Sequence, residues 1–334
     1  MSMQATPPAD LTPEGLDQEP AAADYEVALR SLSQWELVWR KFKAHRLALV
    51  GLGILLFLIV VAVIGPIFLP FHQVPPRADQ LVNAGRPPFC VHFVVGPPSS
   101  CTQYGLVHPF GETGGLQADV MTLVVNGART SLFLGFTSMA IGVIIGTIVG
   151  AIAGYVGGFL DNLLMRIVDV MLSLPLLFVI LVVARFFKDA KDNVWSIIIV
   201  FGIFSWMGVS RLVRSLFLSI REREFVEAAR AVGVRDRRII FKHILPNALS
   251  PVVVIASLLI GANISGEAFV SFLGFGINPS TPTWGNVLSN ALSFIAQGNW
   301  WWPLFPGLAI ILAVLAVNFV GDGLRDAFDP RSRA

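Results

Sequence analysis

The sequence predicts an all-α integral membrane protein with six transmembrane helices. Hydrophobic residues make up 54% of the 334-residue chain and charged residues only 14%, whereas roughly 25% of the residues of a soluble domain are charged. A helix of about 20 apolar residues crosses the hydrocarbon core of a bilayer. Three uncharged segments have this length: 47–69, 131–153 and 244–266. Three further segments contain charges or are shorter: 167–187, 194–210 and 304–320.

The basic residues predict that both termini face the cytoplasm, because cytoplasmic connections of membrane proteins carry an excess of lysine and arginine. Four basic residues precede the first span, and nine lie in the connection 211–247, whereas segment 274–303 has no charge. Residues 1–34, rich in proline and acidic residues, are expected to form a disordered cytoplasmic tail, and 322–334 a second tail. The net charge of +2 reflects this asymmetry, so no nucleic-acid partner is expected.

Residues 35–69 are expected to form an amphipathic helix at the inner membrane surface that leads into the first span. Trp35 and Trp39 lie four residues apart, one helical turn, as interfacial tryptophans often do. Basic residues accompany them on the same segment. Contact with membrane lipid is therefore expected here.

Residues 70–126 are expected to form an extracytoplasmic loop, since they are rich in proline and glycine. This loop contains both cysteines of the chain, Cys90 and Cys101. In an oxidising exterior a local disulfide is one interpretation, and two free thiols are the other. No CxxC spacing accompanies them, so no metal site is expected.

Residues 127–321 are expected to form a five-helix core. Within its first helix a glycine recurs at every fourth position: Gly142, Gly146, Gly150 and Gly154. This spacing predicts that another helix backbone packs closely along one face. Arg166 and Asp169 lie three positions apart, on one helical turn, and are expected to pair with each other.

An acidic residue, Glu267, lies near the end of the fifth predicted span, with no basic residue close in the sequence. Acidic residues inside a membrane often mark an ion pathway. A role as part of a pathway or gate is therefore one interpretation. The alternative is that the carboxyl group is solvated or hydrogen-bonded to a neighbouring helix.

The cytoplasmic connection 211–247 is predicted to contain a helix, a break and a second helix. Gly233 stands where a left-handed helix cap is expected, and Pro246 is expected to end the second helix. Ile240 and Phe241 are expected to be exposed beside Arg237. Exposed apolar residues ringed by charge favour docking of a soluble protein. The alternative is a basic loop that lies on anionic headgroups.

No catalytic motif is recognisable in the chain. The sequence lacks the GxxxxGK[ST] loop that binds nucleotide phosphates, and it lacks HExxH. The protein is therefore expected not to be an enzyme. If the protein moves a substrate uphill, the energy is expected to come from another chain or from an ion gradient.

The loop resembles the EAA loop of permease subunits of ATP-binding-cassette (ABC) importers. "EAARAVG", nine residues and then "HILP" follow the pattern of that loop. The matching residues are Glu227, Ala228, Ala229, Gly233, Leu245 and Pro246. His243 stands where the general pattern has Ile. The resemblance implies that residues 234–243, with Arg237 and Phe241, form the coupling helix.

Further motifs resemble the dipeptide and oligopeptide permease C family. They include "HPFG", "NGARTSLFLG", "GYVGGFLDNLLMRIVDVMLSLP" and "EAFVSFLGFGINPSTPTWGNVL". The resemblance implies a type I (MetI-like) importer permease fold in the cytoplasmic membrane. One departure is "HPFGETGGLQADV", which lacks the family's Gly-Arg before Asp119, so no role is carried over to that outer segment.

The resemblance also implies partners: a homologous B-type permease subunit, two cytoplasmic ABC ATPase subunits and an extracytoplasmic peptide-binding protein. It implies that ATP and Mg²⁺ bind to the ATPase subunits and that this chain binds no cofactor. Peptides are the expected substrate, although related importers carry nickel, glutathione or oligosaccharides. A gradient-driven carrier that uses Glu267 is the alternative from another class.

Overall fold

A computed structural model describes residues 34–69, 109–111, 113, 119–176, 178–180, 182, 194–278 and 280–328 of the chain. The described segments are nearly all helical, as the sequence predicts. The elements are α1 (Gln34–Ala44), α2 (Arg46–Phe68), α3 (Val120–Val156), α4 (Gly158–Ser173), α5 (Val194–Arg221), α6 (Glu224–Ala231), α7 (Asp236–Arg238), a π-helical turn (Ile239–Ile244), α8 (Leu245–Phe272), α9 (Trp284–Ile295) and α10 (Trp301–Phe328). The cysteines Cys90 and Cys101 lie outside the described residues.

Five described helices are long and apolar enough to cross a membrane. They are α2, α3, α5, the continuous segment Asp236–Phe272, and α10. The third predicted span is described only in part, as α4 and as helical residues between 176 and 182. The count of six spans and the cytoplasmic position of both termini therefore stay predictions.

Helix α3 begins earlier than the sequence predicts. Residues 120–126 are expected in the outer loop, whereas the helix starts at Val120. Asp119 caps it, because its Oδ2 accepts hydrogen bonds from Thr122 N at 2.8 Å and from Thr122 Oγ1 at 2.6 Å. A side chain that satisfies the free amides of the first turn fixes where a helix begins. The hydropathy of the chain did not indicate this start, because the signal is the capping side chain of Asp119.

The glycine stripe of α3 packs directly on α5, as predicted. A Cβ added at Gly146 would lie 2.6 Å from Trp206 O, and one at Gly150 would lie 2.4 Å from Ser210 O. At Gly154 the nearest atom would be Arg214 O, 2.7 Å away. These are backbone atoms that cannot move aside without displacing the helix. Glycine at these positions therefore allows the two helices to approach closely.

Charged contacts join α4 to α5 at the end of the bundle that the sequence predicts to face the cytoplasm. The sequence predicts that Asp169 pairs with Arg166. That prediction is wrong, because Asp169 instead accepts a hydrogen bond from Arg211 of α5. Asp161 binds Arg214 through both carboxylate oxygens, with 2.7 Å between Arg214 Nη2 and Asp161 Oδ2. These hydrogen bonds lower the pKa of Asp161 below its ordinary value. The carboxyl group is therefore ionised at neutral pH.

Helix α9 lies in the connection that the sequence analysis describes only as uncharged. It has a capping box, in which the Thr283 side chain accepts from Asn286 N and the Asn286 side chain accepts from Thr283 N, each at 3.0 Å. Trp284 anchors it to α3 through hydrogen bonds from its backbone N to Ser131 Oγ and from its Nε1 to Val124 O. The outer end of the bundle is thus closed by a firmly held helix.

Candidate functional site

Within loop 211–247, helix α6 is followed by Gly233 in the left-handed position predicted for it. Gly233 has a φ of 77°, in the left-handed region. Its N–H donates to Arg230 O, and the N–H of Val234 donates to Ala229 O. Together these bonds form a Schellman motif, which turns the chain sharply after a helix. Helix α6 and the helical segment that begins at Asp236 form the two arms of an elbow, and the break between them is fixed by local backbone geometry.

The second arm of the elbow does not end at Pro246, so that prediction is wrong. Asp236–Phe272 forms one continuous helical segment that includes the fifth span. The residues before Pro246 adopt a π-helical turn, in which Leu245 N donates to Ile240 O. This wider turn accommodates a residue that has no N–H to donate. The loop is consequently joined to the fifth predicted span by an unbroken helical segment.

One face of the elbow is buried against α5. Val226 of α6 and Ile239 and Ile244 of the π turn are fully buried in an apolar cluster. The same cluster includes Val213 and Phe217 of α5. Four further loop residues pack around it: Ala229, Val234, Ile240 and Leu245. Ile240 is thus partly buried, in contrast to the exposure predicted for it.

The other face is exposed and carries large apolar side chains. Phe241 is 64% exposed and Val232 is 80% exposed. Phe225 is exposed as well, although the sequence analysis did not single it out. Most other residues of the predicted coupling site lie on the exposed face as well: Glu227, Ala228, Arg237 and Pro246. His243 is half-buried. Periodicity within the second arm could have indicated part of the buried face, because Ile239 and Ile244 are both buried there.

A contact that the sequence did not predict links the loop to α3. The hydroxyl of Tyr155 donates to Asp236 Oδ1 at 2.5 Å. Nearby, Arg221 Nη1 donates to Gly154 O at 3.1 Å. The partners lie far apart in the chain, so no local pattern indicated them.

The second candidate, Glu267, lies away from the loop and is only 1% exposed. Its Oε1 accepts hydrogen bonds from Ser271 Oγ at 2.7 Å and from Thr283 Oγ1 at 2.8 Å. Thr283 is also the N-cap of α9. Glu267 therefore connects α8 to the start of α9. Among the residues that the structure describes, no cluster of His, Cys, Asp or Glu could hold a metal ion.

Sequence comparisons identify related proteins. Residues 146–334 match the family described as binding-protein-dependent transport system inner membrane component. Residues 33–87 match the N-terminal transmembrane domain of oligopeptide transport permease C. The dipeptide transport system permease protein DppC of Bacillus subtilis is 37% identical over 95% of this chain and 92% of its own length. The oligopeptide transport system permease protein OppC of Haemophilus influenzae is 37% identical over 92% of each chain.

A solved structure shares the fold. One chain from inward-facing conformations of the MetNI methionine ABC transporter superposes with a TM-score of 0.52 and 21% identity. The match covers 63% of this chain and 98% of that chain. This likeness shows the type I importer permease fold and nothing about the substrate.

The helical bundle, its cytoplasmic elbow and these matches define an inner membrane component of a binding-protein-dependent transport system. The chain belongs to the dipeptide and oligopeptide permease C family within that class. It is a multi-pass protein of the cytoplasmic membrane.

Proposed function

We propose that this chain is the transmembrane permease subunit of an ATP-driven peptide importer, and that loop 211–247 couples it to a cytoplasmic ATPase subunit. The observation that carries the coupling role is the exposure of Phe241. Its neighbour Ile239 is fully buried, and the same segment continues into the fifth span. A large exposed apolar side chain on a rigid, membrane-connected element supports a docking role.

The loop must do more than bind its partner. A ligand shifts a conformational equilibrium only when it binds the two states with different affinity. ATP-driven closure of the ATPase pair therefore has to move the elbow, and the elbow has to move the spans joined to it. In this scheme ATP and Mg²⁺ bind to the two ATPase subunits, and this chain contributes no catalytic residue. A B-type permease subunit completes the pathway, and a peptide-binding protein delivers substrate from outside.

Substitution of Phe241 tests the docking role. Burial of a phenylalanine side chain contributes about 1.5–3 kcal/mol, so Phe241→Ala is expected to weaken binding of the ATPase subunit by about tenfold or more. Phe57→Ala is the matched control, because Phe57 of α2 is 63% exposed but lies on the first span. Binding is measured by titration of the purified ATPase subunit. Equal affinities for both variants would contradict the docking role of Phe241.

A peptide substrate is supported by the names of the relatives, which are dipeptide and oligopeptide permeases. Importers of nickel, glutathione or oligosaccharides are the alternatives. The complete complex in proteoliposomes should take up labelled di- and pentapeptides in the presence of ATP. Uptake of an oligosaccharide, glutathione or nickel without peptide uptake would replace the peptide assignment.

A gradient-driven carrier that uses Glu267 is the second candidate function. The burial of Glu267 and its two hydroxyl donors favour a structural role instead. We expect Glu267→Gln to retain ATP-driven uptake that is insensitive to a protonophore. Uptake that collapses on addition of the protonophore and is lost in Glu267→Gln would support the carrier.

A further inference from the structure

Tyr155 lies where α3 meets the coupling segment, which is the arm of the elbow that begins at Asp236 and carries Phe241. Its ring packs against the apolar cluster that holds Val226 and Ile239 of the loop. Its hydroxyl donates to Asp236 Oδ1. Asp236 is the first residue of the continuous segment that carries Phe241 and becomes the fifth span. Tyr155 therefore touches both the buried face of the elbow and the start of its second arm.

The end of α3 is also tied to the end of α5. Arg221 Nη1 donates to Gly154 O at 3.1 Å and approaches Tyr155 O at 3.3 Å. Both acceptors are backbone carbonyls of the last turn of α3, which lack partners within the helix. Arg221 thus caps α3 from the helix that leads into the loop, and it fixes where the Tyr155 backbone lies.

The two helices have little freedom to slide past each other. The space beside Gly150 and Gly154 is filled by the backbone of α5. A displacement of α3 at its cytoplasmic end is therefore shared with α5. Packed helices of this kind transmit movement because they are not continuously deformable.

We propose that Tyr155 is a positioning residue for coupling: through Asp236 it delivers movement of the coupling segment to the α3–α5 helix pair. The inference rests on the proposed role of the loop in ATPase docking. Without the Tyr155 hydroxyl, the elbow still docks, because Phe241 and the buried cluster are unchanged. The elbow then still moves the fifth predicted span, because the two form one continuous segment. Its displacement is transmitted less completely to α3, because the hydrogen bond between Tyr155 and Asp236 is missing.

The test uses the complete complex with its ATPase subunits in proteoliposomes, and it measures peptide taken up per ATP hydrolysed. Tyr155→Phe removes only the hydroxyl and keeps the ring in the cluster. We expect this ratio to fall about fivefold or more, the lower end of typical coupling between sites, at unchanged affinity for the ATPase subunit. Asp236→Ala, which removes the acceptor of the Tyr155 hydroxyl, should lower the ratio as well. The double variant should be no worse than the single variants, since both remove one contact.

Ser215→Ala is the matched control. It also deletes a hydroxyl near the cytoplasmic end of α5, but that hydroxyl donates to Leu212 O of its own helix. Its ratio should equal that of the wild type. A ratio in Tyr155→Phe equal to that of the wild type, or additive losses in the double variant, would overturn the proposal. If the wild-type complex itself shows no ATP-dependent uptake, the proposed function fails instead, and the two failures are thereby distinguished.

Discussion

The outer and cytoplasmic ends of the bundle differ in how their polar and apolar groups are satisfied. At the outer end Glu267 is buried, its Oε1 accepts from two hydroxyls, and Trp284 is almost fully enclosed. At the end predicted to face the cytoplasm, Phe241 and Val232 are exposed, and exposed arginines flank them in the sequence. The hydrogen bonds of Glu267 at the outer end are therefore satisfied within this chain. The loop at the other end presents exposed apolar side chains, where we propose that another chain docks.

This difference predicts how variants divide between stability and transport. A substitution at a self-contained network should lower the free energy of unfolding and remove function by loss of protein. A substitution on the exposed elbow should leave the free energy of unfolding nearly unchanged and remove function by loss of coupling. The following predictions are ordered by their expected effect on the free energy of unfolding, measured by denaturant unfolding in detergent micelles.

The largest effect is expected for Glu267→Ala. The substitution leaves a void and deprives the hydroxyls of Ser271 and Thr283 of their acceptor inside the protein. Buried polar groups without partners cost about 1–3 kcal/mol each, so we expect a loss of about 3 kcal/mol. Glu222→Ala is the control, because Glu222 is an exposed acid of the cytoplasmic end. Similar losses in both variants would contradict the contrast between the two ends.

A smaller effect is expected for Asp161→Asn at the cytoplasmic end. Its carboxylate is almost fully buried and is held by two hydrogen bonds from Arg214. Hydrogen bonds to charged groups contribute about 1.5–3 kcal/mol, and Arg214 keeps some contact with solvent, so we expect a loss of about 2 kcal/mol. Asp169→Asn is the matched variant on the same two helices, with both partners half-exposed. It should cost about 0.5 kcal/mol. A larger cost for Asp169 than for Asp161 would show that burial does not rank these pairs.

The effect of Gly233→Ala should be smaller again. No atom lies within 4 Å of a Cβ added at Gly233, so the cost comes only from the left-handed backbone conformation. That conformation costs a non-glycine residue roughly 1–2 kcal/mol, and we expect about 1 kcal/mol. Gly307→Ala also meets open space, but within helix α10, and should stabilise the protein slightly. A stabilising effect at Gly233 would contradict the Schellman motif as the reason for glycine there.

The sequence allowed prediction of the features that depend on neighbouring residues. The apolar spans, the glycine stripe of α3 and the break at Gly233 follow from spacing within one segment. The partner of Asp169, the contact of Tyr155 with Asp236 and the bond between Glu267 and Thr283 join residues from different segments. No local pattern encodes which helix will lie alongside another. Pro246 misled the prediction for a different reason, since a π-helical turn removes the need for the missing N–H.

The smallest effect on stability, combined with the largest effect on transport, is expected for Glu227→Lys. Glu227 is exposed in the first turn of α6, where a negative charge contributes only about 0.3–1 kcal/mol. The reversal of charge should abolish uptake, because Glu227 belongs to the EAA pattern on the arm that leads into the coupling segment. Gly233→Pro should abolish uptake too, but at a larger cost in stability than Gly233→Ala, since proline cannot adopt the positive φ of the turn and lacks the N–H that donates to Arg230 O. Both proteins should remain in the membrane at wild-type amounts, as measured by immunoblotting of membrane fractions alongside uptake. Peptide transport at the wild-type rate in either variant would show that the exposed elbow does not couple the ATPase to this chain.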